Sequence, residues 1–158
     1  MMVEIPNQGP LVLGTMVSDF NGTLAVGGKL LAGVRDRLGI LAGKMRIVIL
    51  TADTNGTARV ELEGSGAEVL ILSAAAVEGE ESEQKRQFVE DQKPGVLFLG
   101  NGANDEAAMS AADLSFAIIA GEGAYMPTVN AARMVFTSPL DALDVLIHEK
   151  RLVSGLRR

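Results

Sequence analysis

Several kinds of functional site are excluded by what the sequence lacks. Its 158 residues include no cysteine and one histidine, His148. Without cysteine there is no thiol nucleophile, no zinc-thiolate site and no iron-sulfur cluster, and a reducing compartment is favoured. A single histidine also excludes a multi-histidine metal centre. No stretch of eighteen apolar residues occurs and no basic, apolar leader opens the chain, so we expect a cytoplasmic protein without a membrane partner.

Positive charge is scarce as well. The chain carries 14 basic and 20 acidic residues, which gives a formal net charge of -6. A protein of this charge has no long-range attraction for phosphate polymers. We therefore expect no nucleic-acid partner.

Short apolar runs rich in β-branched residues alternate with segments of helical periodicity. Because these runs are apolar throughout rather than alternating, they predict strands that are covered on both faces, as in a parallel sheet. The sequence therefore predicts an α/β fold, a doubly wound parallel sheet with helices on both faces, in a single domain spanning residues 1–158. The predicted strands are Leu11–Val17, Ile47–Leu50, Val69–Leu72, Val96–Leu99, Leu114–Ile119 and Met134–Phe136.

The two ends of the chain have their own patterns. Pro6 and Pro10 cannot donate to a strand ladder, so the N-terminal segment is predicted to be an edge strand or a hairpin. The last segment, from Leu140 to Val153, has the spacing of one amphipathic helix that closes the domain.

Polar residues follow three of the predicted strands. Asp19 lies on an Asn-Gly turn, Thr51 ends the second strand, and Asn104 and Asp105 follow the glycine-rich turn after the fourth. Each of these three segments, taken alone, also has the composition of an ordinary strand-to-turn junction. Because the carboxyl ends of parallel strands line one crevice, the three together predict a site for phosphate and a divalent cation, with helix N-termini that favour anions.

Four motifs carry a resemblance to a known family. They are DFNGT around Asp19, LTADTNGTA with Thr51, EQKRQFVE with Lys85, and GNGAND, which ends in Asp105. In this order they resemble the haloacid-dehalogenase-like (HAD) superfamily of phosphotransfer enzymes. Within it the chain looks most like small soluble proteins related to the phosphorylation domain of P-type ATPases, over almost its whole length.

The resemblance implies a role for each motif. Asp19 would be the nucleophile that accepts a phosphoryl group, Thr51 would hydrogen-bond that group, and Lys85 would neutralise it. Such an attack brings negative charges together, so a cation must bridge them. Mg²⁺ would be held by Asp19, the backbone carbonyl of Asn21, Asn101 and Asp105. The implied substrate contacts are Asn21, Gly22, Thr23, Ala52 and Asn104.

Two residues depart from the family's pattern. Phosphatases of the superfamily usually carry a second aspartate two residues after the nucleophile, where this chain has Asn21. An amide cannot exchange a proton at neutral pH, and losing a general acid/base typically costs a factor of about 10² to 10⁴ in rate. In the fourth motif Asn101 replaces an aspartate that would face the metal, which predicts weaker Mg²⁺ binding. Phosphoryl acceptance is expected to persist, with slow turnover.

The lengths of the segments between the predicted strands limit which type of HAD-like protein the chain resembles. The chain between Asp19 and the strand that ends at Leu50 is too short for the nucleotide-binding insertion of a pump. Leu24–Gly33 and Ser73–Glu83 are too short for a substantial cap domain, so the predicted crevice would admit a bulky substrate or be covered by a second subunit.

Three functions remain open. The first is a slow Mg²⁺-dependent phosphohydrolase acting on a small phosphorylated compound. The second is a non-catalytic regulatory domain that binds phosphate and metal, and Asn21 and Asn101 are its evidence. The third is a purely structural subunit in which the motifs no longer serve a function.

Overall fold

The computed structural model describes residues 1–73, 77 and 79–157. Within this part of the chain, strands and helices alternate after an N-terminal pair of strands. The strands are β1 (Met2–Ile5), β2 (Gly9–Val12), β3 (Thr15–Ser18), β4 (Ala25–Val26), β5 (Lys29–Leu30), β6 (Arg46–Thr51), β7 (Glu68–Ile71), β8 (Val96–Gly100), β9 (Leu114–Ile118) and β10 (Met134–Phe136). The helices are α1 (Val34–Ala42), α2 (Ala58–Glu61), α3 (Glu80–Asp91), α4 (Glu106–Ala111), α5 (Met126–Ala131), α6 (Pro139–Ile147) and α7 (Glu149–Leu156), and a 3-10 turn at Ala103–Asp105 precedes α4.

The predicted doubly wound parallel sheet is confirmed. Six strands pair in the order β10-β9-β8-β3-β6-β7, and every pair is parallel. All residues of β8 and β9 are buried, as expected of strands covered on both faces. One apolar core, which includes Leu38 and Leu143, lies on the α1 and α6 side of the sheet. A second, which includes Val89 and Met109, lies on the α3 and α4 side.

The N-terminal hairpin is confirmed, but its boundary differs from the prediction. The run Leu11–Val17 is not one strand, because the chain leaves β2 at Val12 and enters β3 at Thr15. β2 pairs antiparallel with β1, and Pro10 lies opposite Glu4. Gly14 lies between β2 and β3, and its N–H donates to the carbonyl of Gly95, just before β8, at 2.8 Å.

The predicted closing helix is two helices. It is interrupted at His148, whose φ of -106° and ψ of 78° are not helical. The change of direction lets α7 lie against β1, with Leu152 buried in the core and the carbonyl of Leu156 accepting a hydrogen bond from Gln8 at 2.6 Å. Covering the hairpin therefore requires a break that the apolar periodicity does not reveal.

The sheet topology determines where a crevice can form. The chain runs from β3 outward to β6 and β7, then returns to place β8 on the other side of β3. The carboxyl ends of β3 and β8 thus flank a topological switch point. Between β3 and α1 the only strands are the two-residue β4 and β5. Among the described residues, no helix is long and apolar enough to cross a membrane.

Candidate active site

Asp19 lies at the carboxyl end of the central strand. Its backbone N–H donates to the carbonyl of Leu99 in β8 at 2.9 Å, which fixes the residue at the switch point. Its side chain is 9% exposed, and Asp19 lines the crevice beyond the sheet. Burial, reinforced by the negative charge of Asp105, raises the pKa of Asp19 to about 7, although Lys85 acts in the opposite direction. This is a carboxylate held in an environment that disfavours its charge.

Lys85 reaches Asp19 from α3, on the far side from the crevice. Its side chain is fully buried, with Nζ 2.9 Å from Asp19 Oδ1, 2.8 Å from Asp105 Oδ1 and 3.5 Å from Glu81 Oε1. Burial works to lower the pKa of Lys85, but the carboxylates of Asp105 and Asp19 outweigh it and raise the pKa above its ordinary value. The lysine therefore stays charged.

Asp105 is enclosed behind Asp19 rather than exposed to the crevice. Its Oδ1 accepts from Lys85, and its Oδ2 accepts from the backbone N–H groups of Asn101 and Gly102, both at 2.9 Å. The approach is so close that a Cβ on Gly100 would lie 2.6 Å from Asp105 Cγ. The arrangement gives Asp105 two roles, holding the glycine-rich turn and positioning Lys85, and its fully buried side chain does not line the crevice.

Thr51 ends β6 with a hydroxyl that has one proton to donate. Its Oγ1 accepts from the backbone N–H of Asp53 at 3.0 Å, and Thr51 lines the crevice. Asp53 adopts a left-handed conformation with φ of 48°, and its Oδ1 accepts from the N–H groups of Thr57 and Ala58 at the start of α2. Asp53 therefore both orients Thr51 and caps the helix.

Asn101 follows β8 and lies across the crevice from the β3 turn. Its Oδ1 accepts from the hydroxyl of Thr23 at 3.0 Å, and its Nδ2 donates to the carbonyl of Gly123 at 3.0 Å. Gly22 passes so close that a Cβ there would lie 2.4 Å from Asn101 Nδ2. A glycine is required at this approach, and its φ of 78° favours glycine as well.

The structure brings most of the predicted site residues to one crevice of about 230 Å³. Two predicted substrate contacts, Gly22 and Thr23, are buried beneath Asn101 and do not line it. Lys85 and Asp105 are buried behind Asp19. The described residues that line the crevice are Asp19, Asn21, Thr51, Ala52, Asp53, Thr54, Glu81, Asn101, Gly102, Asn104 and Glu122.

Besides Asp53, two carboxylates of the crevice wall, Glu81 and Glu122, are absent from the sequence-based assignment. Glu81 lies one helical turn before Lys85, and its Oε1 accepts from Asn104 Nδ2 at 2.6 Å. The spacing of four residues from Lys85 is the signal that could have found it. Glu122 follows β9, and its Oε1 accepts from the backbone N–H of Gly27, in the turn between β4 and β5, at 2.9 Å. No local sequence pattern predicts that the loop after β9 contacts the turn between β4 and β5.

The donors that face the crevice fit a hard divalent cation. In the described part of the chain, no group of three or more histidine, cysteine or acidic residues could hold a metal ion. Asp19 supplies one carboxylate, and Asn101 and Asn21, which also line the crevice, supply oxygen donors without charge. Mg²⁺ commonly takes one or two carboxylates and keeps several waters or phosphate oxygens, so this sparse set is chemically suitable.

Several solved structures share this fold. The 3-deoxy-D-manno-octulosonate 8-phosphate phosphatase of Yersinia pestis is 14% identical, with a TM-score of 0.65 over 97% of this chain and 94% of that one. The cobalt-bound form of the deoxy-D-mannose-octulosonate 8-phosphate phosphatase of Haemophilus influenzae is 15% identical, with a TM-score of 0.64 over 88% of this chain and 89% of that one. A chain described as a HAD family hydrolase of Streptomyces avermitilis is 21% identical, with a TM-score of 0.59 over 79% of this chain and 76% of that one.

Sequence comparison adds two archaeal relatives. No protein-family model matches the chain. MJ0073 of Methanocaldococcus jannaschii, an uncharacterized protein, is 39% identical over 62 residues, which are 39% of this chain and 67% of MJ0073. MJ0072 of the same organism, also uncharacterized, is 51% identical over 37 residues, which are 23% of this chain and 84% of MJ0072. The chain therefore belongs to the family of MJ0073 and MJ0072, and it has the fold of the HAD-family hydrolases.

Proposed function

We propose that this protein is a Mg²⁺-dependent phosphohydrolase that forms an aspartyl phosphate on Asp19, within a single core domain spanning residues 1–158. The observation that carries the proposal is the placement of Asp19. Its carboxylate ends the central strand, is 9% exposed, faces a crevice, and has a buried lysine 2.9 Å behind it. The fold shared with HAD-family hydrolases supports the same chemistry.

Phosphoryl transfer to Asp19 needs a nucleophilic oxygen and a way to offset negative charge. The Lys85 ammonium holds Asp19 Oδ1, which orients the carboxylate while its exposed part faces the crevice. An Asp19 oxygen forms the new bond to phosphorus as the bond to the ester oxygen breaks. Because Thr51 Oγ1 already accepts from Asp53, its proton is available to a phosphate oxygen. Fixed donors of this kind stabilise charge that develops in the transition state.

The metal site we propose is a revision of the sequence-based one. We assign Asp19, the backbone carbonyl of Asn21 and the side chain of Asn101 as ligands, and we omit Asp105 because its side chain is fully buried and does not line the crevice. A bound Mg²⁺ would offset the charge of the phosphate and the carboxylate. With a single formal charge among these ligands, affinity for the ion is expected to be low.

Turnover is limited at Asn21. The alkoxide that leaves must take its proton from water, and a second water must then attack phosphorus and break the aspartyl-phosphate bond without a base. The Asn21 side chain accepts instead from Asn55 Nδ2 at 3.1 Å, which fixes it as a polar wall of the crevice. The net reaction converts ester and water to alcohol and phosphate, and we expect its second half to be slow.

The fixed amide of Asn21 also favours the second candidate, a non-catalytic domain that binds phosphate and metal. Such a domain would bind without forming or releasing a covalent intermediate. Calorimetry that shows phosphate and Mg²⁺ binding, with no hydrolysis of any ester, would support this function over the first.

Hydrolysis of p-nitrophenyl phosphate with Mg²⁺ tests the proposal directly. We expect slow turnover by the native chain and none by Asp19→Asn. Asn21→Asp restores a proton carrier two residues after the nucleophile, and we expect it to raise turnover about 10-fold or more. Glu63→Gln, an exposed carboxylate outside the crevice, is the matched control and should leave the rate unchanged.

Each result has a separate meaning. Equal residual activity in the native chain and Asp19→Asn would remove Asp19 from the mechanism. An Asn21→Asp variant no faster than the native chain would show that the missing proton carrier is not what limits the rate.

A further inference from the structure

The crevice wall is acidic beyond the phosphate site. Besides Asp19, three carboxylates line it, those of Asp53, Glu81 and Glu122. Among the described lining residues no side chain is basic, aromatic or a large hydrocarbon. The internal residues that the structure leaves undescribed, at positions 74–76 and 78, are three alanines and a glutamate, so they hold no basic side chain either.

The one lysine near the site cannot offset this charge. Lys85 Nζ is completely buried and already contacts Asp19 and Asp105 at 2.9 and 2.8 Å. With Glu81 at 3.5 Å, three carboxylates thus surround one ammonium before any phosphate arrives. An additional anionic group on a substrate would meet no cation among the described residues that line the crevice.

Among the described residues, each of the three lining carboxylates has an oxygen without a hydrogen bond or ion pair, and in Asp53 this oxygen is Oδ2. Glu122 uses Oε1 to accept from Gly27, and Glu81 uses Oε1 to contact Asn104 and Lys85. Among the described residues, the Oε2 atoms of Glu81 and Glu122 make no hydrogen bond or ion pair. Both glutamates line the same crevice that the nine-tenths-buried Asp19 carboxylate faces. They are acceptors for a donor carried by the ligand.

Among the described lining residues, the lack of aromatic, guanidinium and large hydrocarbon side chains disfavours other leaving groups. A nucleobase would need an aromatic or guanidinium surface to stack on, and an acyl chain would need hydrocarbon walls. A volume of about 230 Å³ accommodates a phosphate and a short polar group.

We propose that the substrate of this crevice is a small phosphate monoester whose leaving group carries an ammonium, bound by Glu122 and Glu81. This inference rests on the proposed phosphohydrolase function, because it assigns the phosphate end to Asp19. An amine gains a charge-assisted contact with each free carboxylate oxygen, whereas a carboxylate on the leaving group is repelled by both.

Three two-carbon esters of matched size test the charge preference. They are phosphoethanolamine, 2-hydroxyethyl phosphate and phosphoglycolate, whose leaving groups are cationic, neutral and anionic. With Mg²⁺ at low ionic strength, we expect kcat/KM to fall in that order, with at least a 10-fold difference between the first and the last. Added salt of about 0.5 M should reduce the difference, since exposed charges are screened.

Variants locate the preference on the protein. Glu122→Gln and Glu81→Gln should each lower the ratio of kcat/KM for the amine to kcat/KM for the neutral ester, by about 3-fold or more. Glu122→Lys should shift the preference toward phosphoglycolate. Glu63→Gln removes the same charge from an exposed position outside the crevice and should leave the ratio unchanged.

The inference and the proposed function fail in different ways. Equal kcat/KM for the three esters would overturn the inference and leave the role of Asp19 standing. If neither these esters nor p-nitrophenyl phosphate is hydrolysed, the phosphohydrolase function fails. Calorimetry of the three esters then decides the charge preference, which is contradicted unless the amine binds tightest and Glu122→Gln removes its advantage.

Discussion

The central residue, Asp19, is charged only at a cost in stability. Its carboxylate is buried beside a second carboxylate, Asp105, and one ammonium must serve both. Such strain is typical of functional sites, where groups are held for chemistry rather than for stability. A bound cation would relieve it, because a cation favours the ionised form.

The strain of Asp19 makes stability depend on pH. Its pKa is about 7 in the folded chain against 3.8 ordinarily, so between these values the folded protein retains a proton that the unfolded chain has released. Asp19 therefore stabilises the folded chain at low pH. This contribution to the free energy of unfolding is lost as the pH rises through 7. Asp19→Asn, which is always neutral, should melt several degrees above the native chain at pH 8 and close to it at pH 4.

Thermal melts in EDTA at pH 4, 6 and 8 measure this effect without metal ions. Asp91→Asn, an exposed carboxylate near the end of α3, is the control and should follow the native chain at each pH. A difference between Asp19→Asn and the native chain that does not change with pH would contradict the raised pKa.

Sequence and structure agree best where a functional residue is tied to a strand end. Asp19, Thr51 and the GNGAND turn could be predicted because parallel strands deliver their carboxyl ends to one edge. Glu122 could not, since it enters the site through a hydrogen bond to Gly27, which lies 95 residues earlier in the chain. Its partner depends on how two loops meet above the sheet, and this leaves no periodic signal.

At the scale of elements, one polar contact links the starts of two neighbouring strands. Asp113, which immediately precedes β9, accepts from the N–H groups of Gly95 and Val96 at 2.7 and 2.9 Å at the start of β8. Burial works to raise the pKa of Asp113, but these two hydrogen bonds and Lys93 hold it below its ordinary value. The contact sets the register that places Gly100 and Asn101 at the crevice.

Removing the Asp113 carboxylate should destabilise the fold. In Asp113→Ala the buried N–H of Val96 loses its acceptor, and we expect a loss of about 1 to 3 kcal/mol in the free energy of unfolding. Chemical denaturation at pH 7 measures it, with Glu4→Ala on the exposed face of β1 as the control. A loss no larger than that of Glu4→Ala would show that the contact does not stabilise the strand.

Element boundaries were the weakest part of the sequence-based prediction. Leu11–Val17 is apolar except at Gly14 and Thr15, and this pattern does not distinguish one continuous strand from a passage between hairpin and central strand at Leu13 and Gly14. In the same way, the apolar positions of the last segment continue through His148, although the helix does not. Both boundaries are set by tertiary packing, of the hairpin on the sheet and of α7 on the hairpin.

At the scale of the whole molecule, the crevice joins the two halves of the structure. Its wall includes Asp53 and Thr54, which precede α2 on one face of the sheet, and Glu81 of α3 on the other. The hairpin turn at Gly27 and Gly28 is held from two sides, by Glu122 at 2.9 Å and by the hydroxyl of Thr57 at 2.6 Å. A ligand that contacts these residues binds the folded chain and not the unfolded one.

Ligand binding should therefore raise the melting temperature of the whole chain. Mg²⁺ with beryllium fluoride, a mimic of a phosphoryl group on a carboxylate, adds about 2.7 kcal/mol at 100 times its dissociation constant, or several degrees for a chain of this length. Because the mimic needs the carboxylate, Asp19→Asn should show no shift, while Glu63→Gln should match the native chain. The contrary result is a native chain that keeps the same melting temperature with Mg²⁺ alone, with beryllium fluoride alone and with both together. That result would mean that the crevice binds neither metal nor phosphoryl group and that the fold is used for another purpose.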